Sequence, residues 1–399
     1  MHPSVAPNPL ARFCQALVQA PSPPGREEPA AQVLADELRR LGFRAVRVDR
    51  FGSVAGVIGP ADGRAVLVDG HLDTIELVDT GAWEHDPLAG EIADGCIHGL
   101  GVVDMKAGLA AMVHGAARAA QSGALAGPVY VTGTVGEEVI EGPALGAWLD
   151  EIRPAVVVIG EPTDLHLHIG QRGRAEVVLE TFGKPAHSAH AWHGRNAVYD
   201  MVAAIPRLRA AELPRHEFLE PGVLELTDLI SEPYPSLSNV SHRARATFDR
   251  RTLPGETVES VLRPLQAALD PLARDDEGFR ARVSIAQGEV RCYTGAVLRA
   301  EKFAPAWYFE PQTELVRTAC AALQRVGLDR PLSAYRSCTN GSAAGGARAI
   351  PTLGFGPAPN ELAHRPNEFV HLEDLERAAR GYEALCGALS GLASDRRER

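Results

Sequence analysis

The apolar run Val66-Leu67-Val68 passes through Asp69 and stops at Gly70, with His71 and Asp73 directly beyond it. A strand without polar alternation is covered on both faces, as in an α/β sheet. The same pattern recurs twice: Pro128–Val135 runs into Gly136-Glu137-Glu138, and Pro154–Ile159 into Gly160-Glu161-Pro162-Thr163. Open α/β sheets hold ligands beyond the carboxyl ends of their strands. Each polar end taken singly would also suit a satisfied strand–loop junction or a solvated turn. Repeated on successive buried strands, they point to one shared site, because neighbouring carboxylates near an apolar core are costly unless a cation or solvent offsets them.

The flanking sequence fills in a two-part chain. Helices are expected over Pro9–Val18, with Asn8 as N-cap, and over Glu28–Leu41, closed by Gly42. Phe43–Val48 and Ser53–Ile58 read as hairpin strands, and Glu91–Gly99 as a hairpin turning at Asp94-Gly95. Gly99-Leu100-Gly101-Val102-Val103-Asp104 opens a helix to about Gln121; it lacks the third glycine of a dinucleotide fingerprint, and Asp104 there could simply be an N-cap. From Arg172 the texture changes to strand–helix–strand–strand–helix–strand: 175–181, 196–208, 223–230, 243–249, 257–272 and 280–286. That order describes a small α+β module inserted into the first domain. The helix 313–326, the strand 349–355, His364 in the following loop and the helix 372–389 return to the earlier style, and Ser394–Arg399 reads as a frayed charged tail. The division expected is 1–172 with 297–399 for the α/β domain and 173–296 for the insert, which suits a chain of 399 residues.

Composition excludes several classes. A net charge of -11 argues against a general nucleic-acid or anionic-membrane binder. The cysteines at 14, 96, 292, 320, 338 and 386 show no C-x-x-C spacing, so reduced thiols in a cytoplasmic protein are expected rather than a disulfide framework. No signal-peptide pattern opens the chain, and no apolar run is long enough for a bilayer. No G-x-S-x-G elbow is present, and nothing marks Cys338 as an activated nucleophile.

What remains is a set of nitrogen and oxygen donors: His71, His364, Asp104, Glu137, Glu138 and Glu161, with Asp73 able to orient a ligating His71. Donors without thiolate suit zinc, and also cobalt or manganese. One zinc needs three protein ligands; five candidates and a spare carboxylate suit two metals about 3.5–4 Å apart. A spare glutamate could then move a proton from water to a leaving amine, which is amide hydrolysis without a covalent intermediate.

These residues resemble the M20 metallopeptidase family of di-zinc amidohydrolases, which includes acetylornithine deacetylase, succinyl-diaminopimelate desuccinylase, aminoacylase and glutamate carboxypeptidase. The motifs Gly70-His71-Leu72-Asp73-Thr74, Gly99 to Lys106, Glu137-Glu138, Gly160-Glu161-Pro162-Thr163 and Ala363-His364-Arg365-Pro366-Asn367-Glu368 occur in the family's order. The resemblance implies a mixed-sheet, zinc-peptidase-like catalytic domain with a ferredoxin-like lid that mediates a homodimer. It implies two Zn²⁺ per chain, His71, Asp104 and Glu161 holding one and His364, Asp104 and Glu138 the other, with Glu137 as general base and Asp73 orienting His71. His187 in Gly183–His190 is the implied oxyanion donor, with His190 and His193 as alternatives. Asn239 and Arg251 match positions that bind a substrate carboxylate, and Thr339 and Asn340 lie in a further substrate loop. Glu161 leans the substrate toward an N-acyl amino acid, with a dipeptidase or carboxypeptidase as alternative and a non-catalytic binding protein further off. The loop Thr339-Asn340-Gly341 looks closest to a branch linked by name to selenium metabolism, and it lacks the Asp of desuccinylases.

Overall fold

The computed structural model describes residues 8–395. The opening residues read above for a signal peptide, and the end of the charged tail, lie outside that range. The chain divides into two compact units, Met1–Gln171 with Glu289–Arg299 and Trp307–Arg399, and Arg172–Gly288 with Ala300–Ala306. The first crossing falls beside the expected 172/173. The return differs from the single step expected at 296/297: Glu289–Arg299 already belongs to the first unit, where Tyr293 and Thr294 donate to the carbonyls of Gly52 and Arg50, and Phe303–Ala304 then pairs with the strand Gly173–Phe182 of the second sheet.

The first unit is built on a nine-stranded mixed sheet. Its order is Arg44–Val48, Val54–Ile58, Val129–Thr134, Val66–His71, Val156–Ile159, Thr352–Gly354, His168–Gln171 and Trp307–Tyr308, with Ser333–Tyr335 also pairing with His168–Gln171. The four consecutive strands from Val129–Thr134 to Thr352–Gly354 run parallel. They are buried almost throughout, and both faces are covered. On one side Leu67, Val157 and Ile159 pack with Leu145 and Leu149 of the helix Pro143–Ile152. That helix had no counterpart in the sequence reading; Pro143 follows Gly142 at its first turn, where a missing N–H costs nothing. On the other side lies the buried helix Ala107–Gln121, which packs against the C-terminal helix Leu372–Asp395. The two approach closely at Gly115, where a Cβ would lie 2.4 Å from that of Tyr382. Among the described residues no helix is long and apolar enough to cross a membrane.

The second unit carries the expected strand–helix–strand–strand–helix–strand order. Its antiparallel sheet runs Val223–Glu232, Arg243–Thr252, Gly173–Phe182, Ala281–Ile285, which places the module's four strands in the 4-1-3-2 sequence of a ferredoxin-like fold. Ala197–Arg209 and Val258–Ala267 supply the helical layer: Met201, Ala204, Val261 and Leu265 close a core with Val177, Leu179, Ala246 and Phe248. The second helix, expected as one piece to residue 272, ends at Ala267 and is followed by a separate short helix Asp270–Asp275. Pro271 lacks the N–H that would have continued it.

Candidate metal centre

Three of the four parallel strands of the first unit deliver a chemical group at or just past the carboxyl end, and the fourth leads into the loop carrying His364. His71 is the last residue of Val66–His71. Glu137 and Glu138 follow Val129–Thr134, Glu161 follows Val156–Ile159, and His364 follows Thr352–Gly354. Asp104 arrives separately. The sequence allowed it an N-cap role, and the structure corrects this: the helix begins at Ala107, Lys106 occupies the cap position, and Asp104 sits in an extended break (φ -120°, ψ 94°) that turns its carboxylate into the cluster. Gly101 makes the break possible, since its φ is 71° and a Cβ there would lie 2.2 Å from Thr74.

The five proposed ligands converge, with Asp104 between the two rings. Its Oδ1 lies 2.8 Å from Nε2 of His71, and its Oδ2 lies 3.3 Å from Nε2 of His364. Glu161 flanks the first ring at 3.6 Å and Glu138 the second at 3.2 Å. Donor atoms of His71, Asp104 and Glu138 all lie within 4.8 Å of one another, and so do those of His71, Glu137 and Glu161. Asp73 is buried behind His71 and divides its work. Its main-chain carbonyl accepts from Nδ1 of His71 at 2.8 Å, whereas its carboxylate accepts the main-chain N–H groups of Glu137 (3.2 Å) and Glu138 (2.9 Å). The orienting group for the ring is thus the Asp73 backbone. The side chain, expected to serve that role, lies 3.7 Å from Nδ1 and fixes the two glutamates instead.

The electrostatics describe a site short of positive charge. Burial pushes the Glu137 carboxyl well above its usual range, and the Glu161 charge adds to that, against the opposing effect of His71. Burial and the Asp104 charge do the same to Glu161, and Glu138 is also raised. Burial works against a charged His71, but Glu161, Asp104 and Glu137 outweigh it and hold the ring's pKa well above normal. Hydrogen bonds donated to Asp104 and Glu138 lift His364 to about 10. Burial disfavours ionised Asp104, yet hydrogen bonds from both rings hold it below the usual carboxylate range. Among the described residues no Lys or Arg pairs with Asp104, Glu137, Glu138 or Glu161, so these four acids share the two imidazole rings. An all-imidazole and carboxylate donor set of this kind fits a divalent metal.

Residues 67–388 match the model of peptidase family M20/M25/M40. The chain belongs to this family. It is a hydrolase of amide or peptide bonds. It is 31% identical over 393 residues to the uncharacterized protein YgeY of Escherichia coli (strain K12), covering 97% of this chain and 95% of that one. It is 32% identical over 286 residues to a succinyl-diaminopimelate desuccinylase of Cereibacter sphaeroides, covering 67% and 75%. The fold matches that of Bacillus subtilis YxeP, described as a dinuclear metal binding peptidase of the M20 family, with a TM-score of 0.70 at 15% identity, covering 96% of this chain and 97% of that one.

The remaining expected site residues of this M20 hydrolase fall into two groups. Thr339 and Asn340 are buried, 2% and 3% exposed, and their polar groups are engaged inside the first unit. Thr339 Oγ1 donates to Gln171 at 2.6 Å, and Asn340 contacts Asp69, Thr134 and Gly142. Each polar atom of the Asn340 side chain thus has a partner inside the first unit. His187, Asn239 and Arg251 belong to the second unit. His187 and Asn239 are joined by a β-bridge, and Nδ1 of His187 accepts from the N–H of Ala189 at 3.0 Å. Arg251 pairs with Asp249 at 2.7 Å.

The sequence reading also left out an outer ring of buried charge. Glu368 accepts from the N–H of Val103 at 3.3 Å, pinning the loop that leads to Asp104; burial and the Asp104 charge raise its pKa to about 8. Lys106 is 2% exposed, donates to the carbonyl of Ala20 at 3.0 Å, and burial lowers its pKa to about 8. Glu27 lies fully buried, with burial and Asp73 raising its pKa to about 7. Proximity in sequence was the available signal for two of them: Glu368 stands four residues after His364, and Lys106 two after Asp104.

Proposed function

We propose that this M20 hydrolase is a di-zinc deacylase that cleaves the amide bond of N-acyl amino acids, in the manner of acetylornithine deacetylase. The observation that carries the reading is the division of Asp104, one carboxylate oxygen toward His71 and the other toward His364, with Glu161 and Glu138 on the outer sides. His71, Asp104 and Glu161 would hold one metal, and His364, Asp104 and Glu138 the other; Co²⁺ or Mn²⁺ could substitute. Bound there, the metals supply Lewis-acid polarisation of the scissile carbonyl and lower the pKa of water at the site.

The chain's own groups supply the rest. Glu137, whose burial raises its affinity for a proton, takes one from the attacking water and delivers it to the leaving amine as the C–N bond breaks. Asp73 holds Glu137 and Glu138 in register through their main-chain N–H groups, and its carbonyl keeps Nε2 of His71 turned to Asp104. His187 is assigned the role of oxyanion donor, and Asn239 and Arg251 that of binding the substrate carboxylate, on motif resemblance alone. The desuccinylase likeness supports acyl substrates; the peptidase described for Bacillus subtilis favours the second reading, a dipeptidase or carboxypeptidase. The selenium-linked placement rests on motif resemblance alone, in Thr339-Asn340-Gly341, Arg172-Gly173-Arg174 and Ser236-Leu237-Ser238-Asn239.

A homodimer through the second unit is part of the proposal. Its strand Val223–Glu232 lies at the sheet edge, with Leu229 and Ile230 51% and 53% exposed, and the helix Ala197–Arg209 leaves Tyr199 74% exposed. Unpaired edges and exposed apolar side chains of this kind mark association surfaces. The six cysteines form no disulfide, which agrees with a cytoplasmic setting. The deciding experiment is turnover of N-acetyl and N-succinyl amino acids and dipeptides by the metal-reconstituted protein. Release of acyl group is expected; cleavage of dipeptides alone would replace the deacylase reading with the second one.

A further inference from the structure

The loop containing Asn340 bears no proposed ligand, yet it is fastened to both strands that carry His71 and the Glu137-Glu138 pair. Asp69, 1% exposed, sits two residues before His71. One of its carboxylate oxygens accepts from the Thr132 hydroxyl at 2.7 Å and the other from the side-chain amide of Asn340 at 3.1 Å. The same amide nitrogen donates to Oγ1 of Thr134, 2.9 Å away, at the end of the strand that leads to Glu137. The amide oxygen accepts the N–H of Gly142 at 2.8 Å, beyond Glu138. One side chain therefore grips the strand of His71 and both ends of the segment holding the two glutamates. Asn340 is in turn backed by its neighbours, since the Gly341 N–H donates to Thr339 Oγ1 at 3.0 Å and Thr339 to Gln171.

We propose that Asn340, acting with Asp69, is a positioning residue that sets the spacing between His71 and the Glu137-Glu138 pair. The inference rests on the di-metal reading above. An asparagine suits the place because it offers a donor to the Asp69 carboxylate and an acceptor to Gly142 at once. A carboxylate at 340 would face Asp69 without a donor, and an apolar residue would leave three buried partners unmet.

The test compares Asn340→Asp, Asp69→Asn and the double exchange. Readouts are zinc affinity by competition with a chelating dye, the visible spectrum of the cobalt-substituted protein, and kcat and KM on the best substrate. The double exchange keeps one amide facing one carboxylate. Each single variant is expected to lose about 10–100-fold in metal affinity or kcat, with KM little changed, and the exchange to recover most of it together with the cobalt spectrum. Single variants with wild-type affinity, spectrum and kcat would overturn the proposal, as would an exchange that restores folding and no function. If Asn340→Asp does not fold, Thr134→Val removes one partner at nearly constant shape; a measurable loss of metal affinity supports the clamp, and wild-type affinity overturns it. A wild-type protein that takes up no metal would overturn the reading of the site itself, whereas a wild type holding two metals beside unaffected variants would overturn the clamp alone.

Discussion

The two units handle buried acid in opposite ways. In the second unit buried or half-buried carboxylates meet cationic side chains: in the sheet Glu180 lies between Arg243 and Arg282 and Asp249 meets Arg174 and Arg251, and on the helix Ala197–Arg209 Asp200 meets Arg195. Those pairs are complete, and they add no demand for a ligand. In the first unit Asp104, Glu137, Glu138 and Glu161 are as deeply placed but share two imidazoles and no Lys or Arg among the described residues. An uncompensated buried charge is strongly unfavourable. The contrast shows that the composition of a cluster matters less than its balance: acids matched by arginine brace a sheet, and acids left in excess describe a place for a cation.

Substitutions at the two kinds of acid should therefore differ in kind. The largest effect is expected for Glu137→Gln, a fall in kcat of about 10²–10⁴-fold with metal content retained, since a general base contributes on that scale. Glu180→Gln in the second unit should leave kcat unchanged; parallel steady-state assays check both. His187→Ala is next, with about 10²–10³-fold lost from kcat if the residue is the oxyanion donor, and His190→Ala and His193→Ala are the comparison that sharpens the assignment. Metal removal should then lower the first unit's stability, by about 2.7 kcal/mol for each metal relative to protein held at a hundredfold excess over that site's dissociation constant. Differential scanning calorimetry with and without chelator reads this, and equal midpoints would break the comparison.

Outside its site the first unit treats acid as the second does, which gives a pH test. Burial opposes ionised Glu37, but hydrogen bonds from Arg40 (2.6 Å) and His114 (2.8 Å) outweigh it and hold the carboxyl at about 2. A folded-state pKa below the ordinary value of 4.5 gives stability that is present above that value and lost as pH falls toward 2. Glu37→Gln should flatten the acid limb of the urea-midpoint profile over that interval and leave its shape above pH 5 unaltered. The smallest effect is expected from Glu180→Gln, about 0.2–1 kcal/mol in chemical denaturation, because Arg243 and Arg282 are 40% and 63% exposed and water screens both pairs.

Much of this was legible in the chain because largely apolar runs favour buried strands. The runs from Val66, Pro128 and Pro154 read as strands of an α/β sheet, and the polar residues beyond them named His71, Glu137, Glu138 and Glu161. The second unit's element order was readable because its strands alternate and Asn196 and Thr257 cap its helices. What escaped depends on contacts between distant residues. Asp104 could pass for an N-cap until its backbone was seen to be extended. Nothing local shows that Asp69, Thr134 and Gly142, each about 200 or more positions away, partner the amide of Asn340. Glu368 and Lys106 gained meaning only once the loop around Val103 was placed.

The central claim is that the excess acid of the first unit is a two-cation site. Metal content per chain, measured by inductively coupled plasma mass spectrometry on protein dialysed after zinc reconstitution, tests it most directly, with Asp104→Ala alongside. The account predicts close to two zinc ions for the wild type and loss of both in the variant, which lacks the carboxylate shared by the two rings. A wild-type protein that retains no zinc, or a variant that retains as much as the wild type, would contradict it.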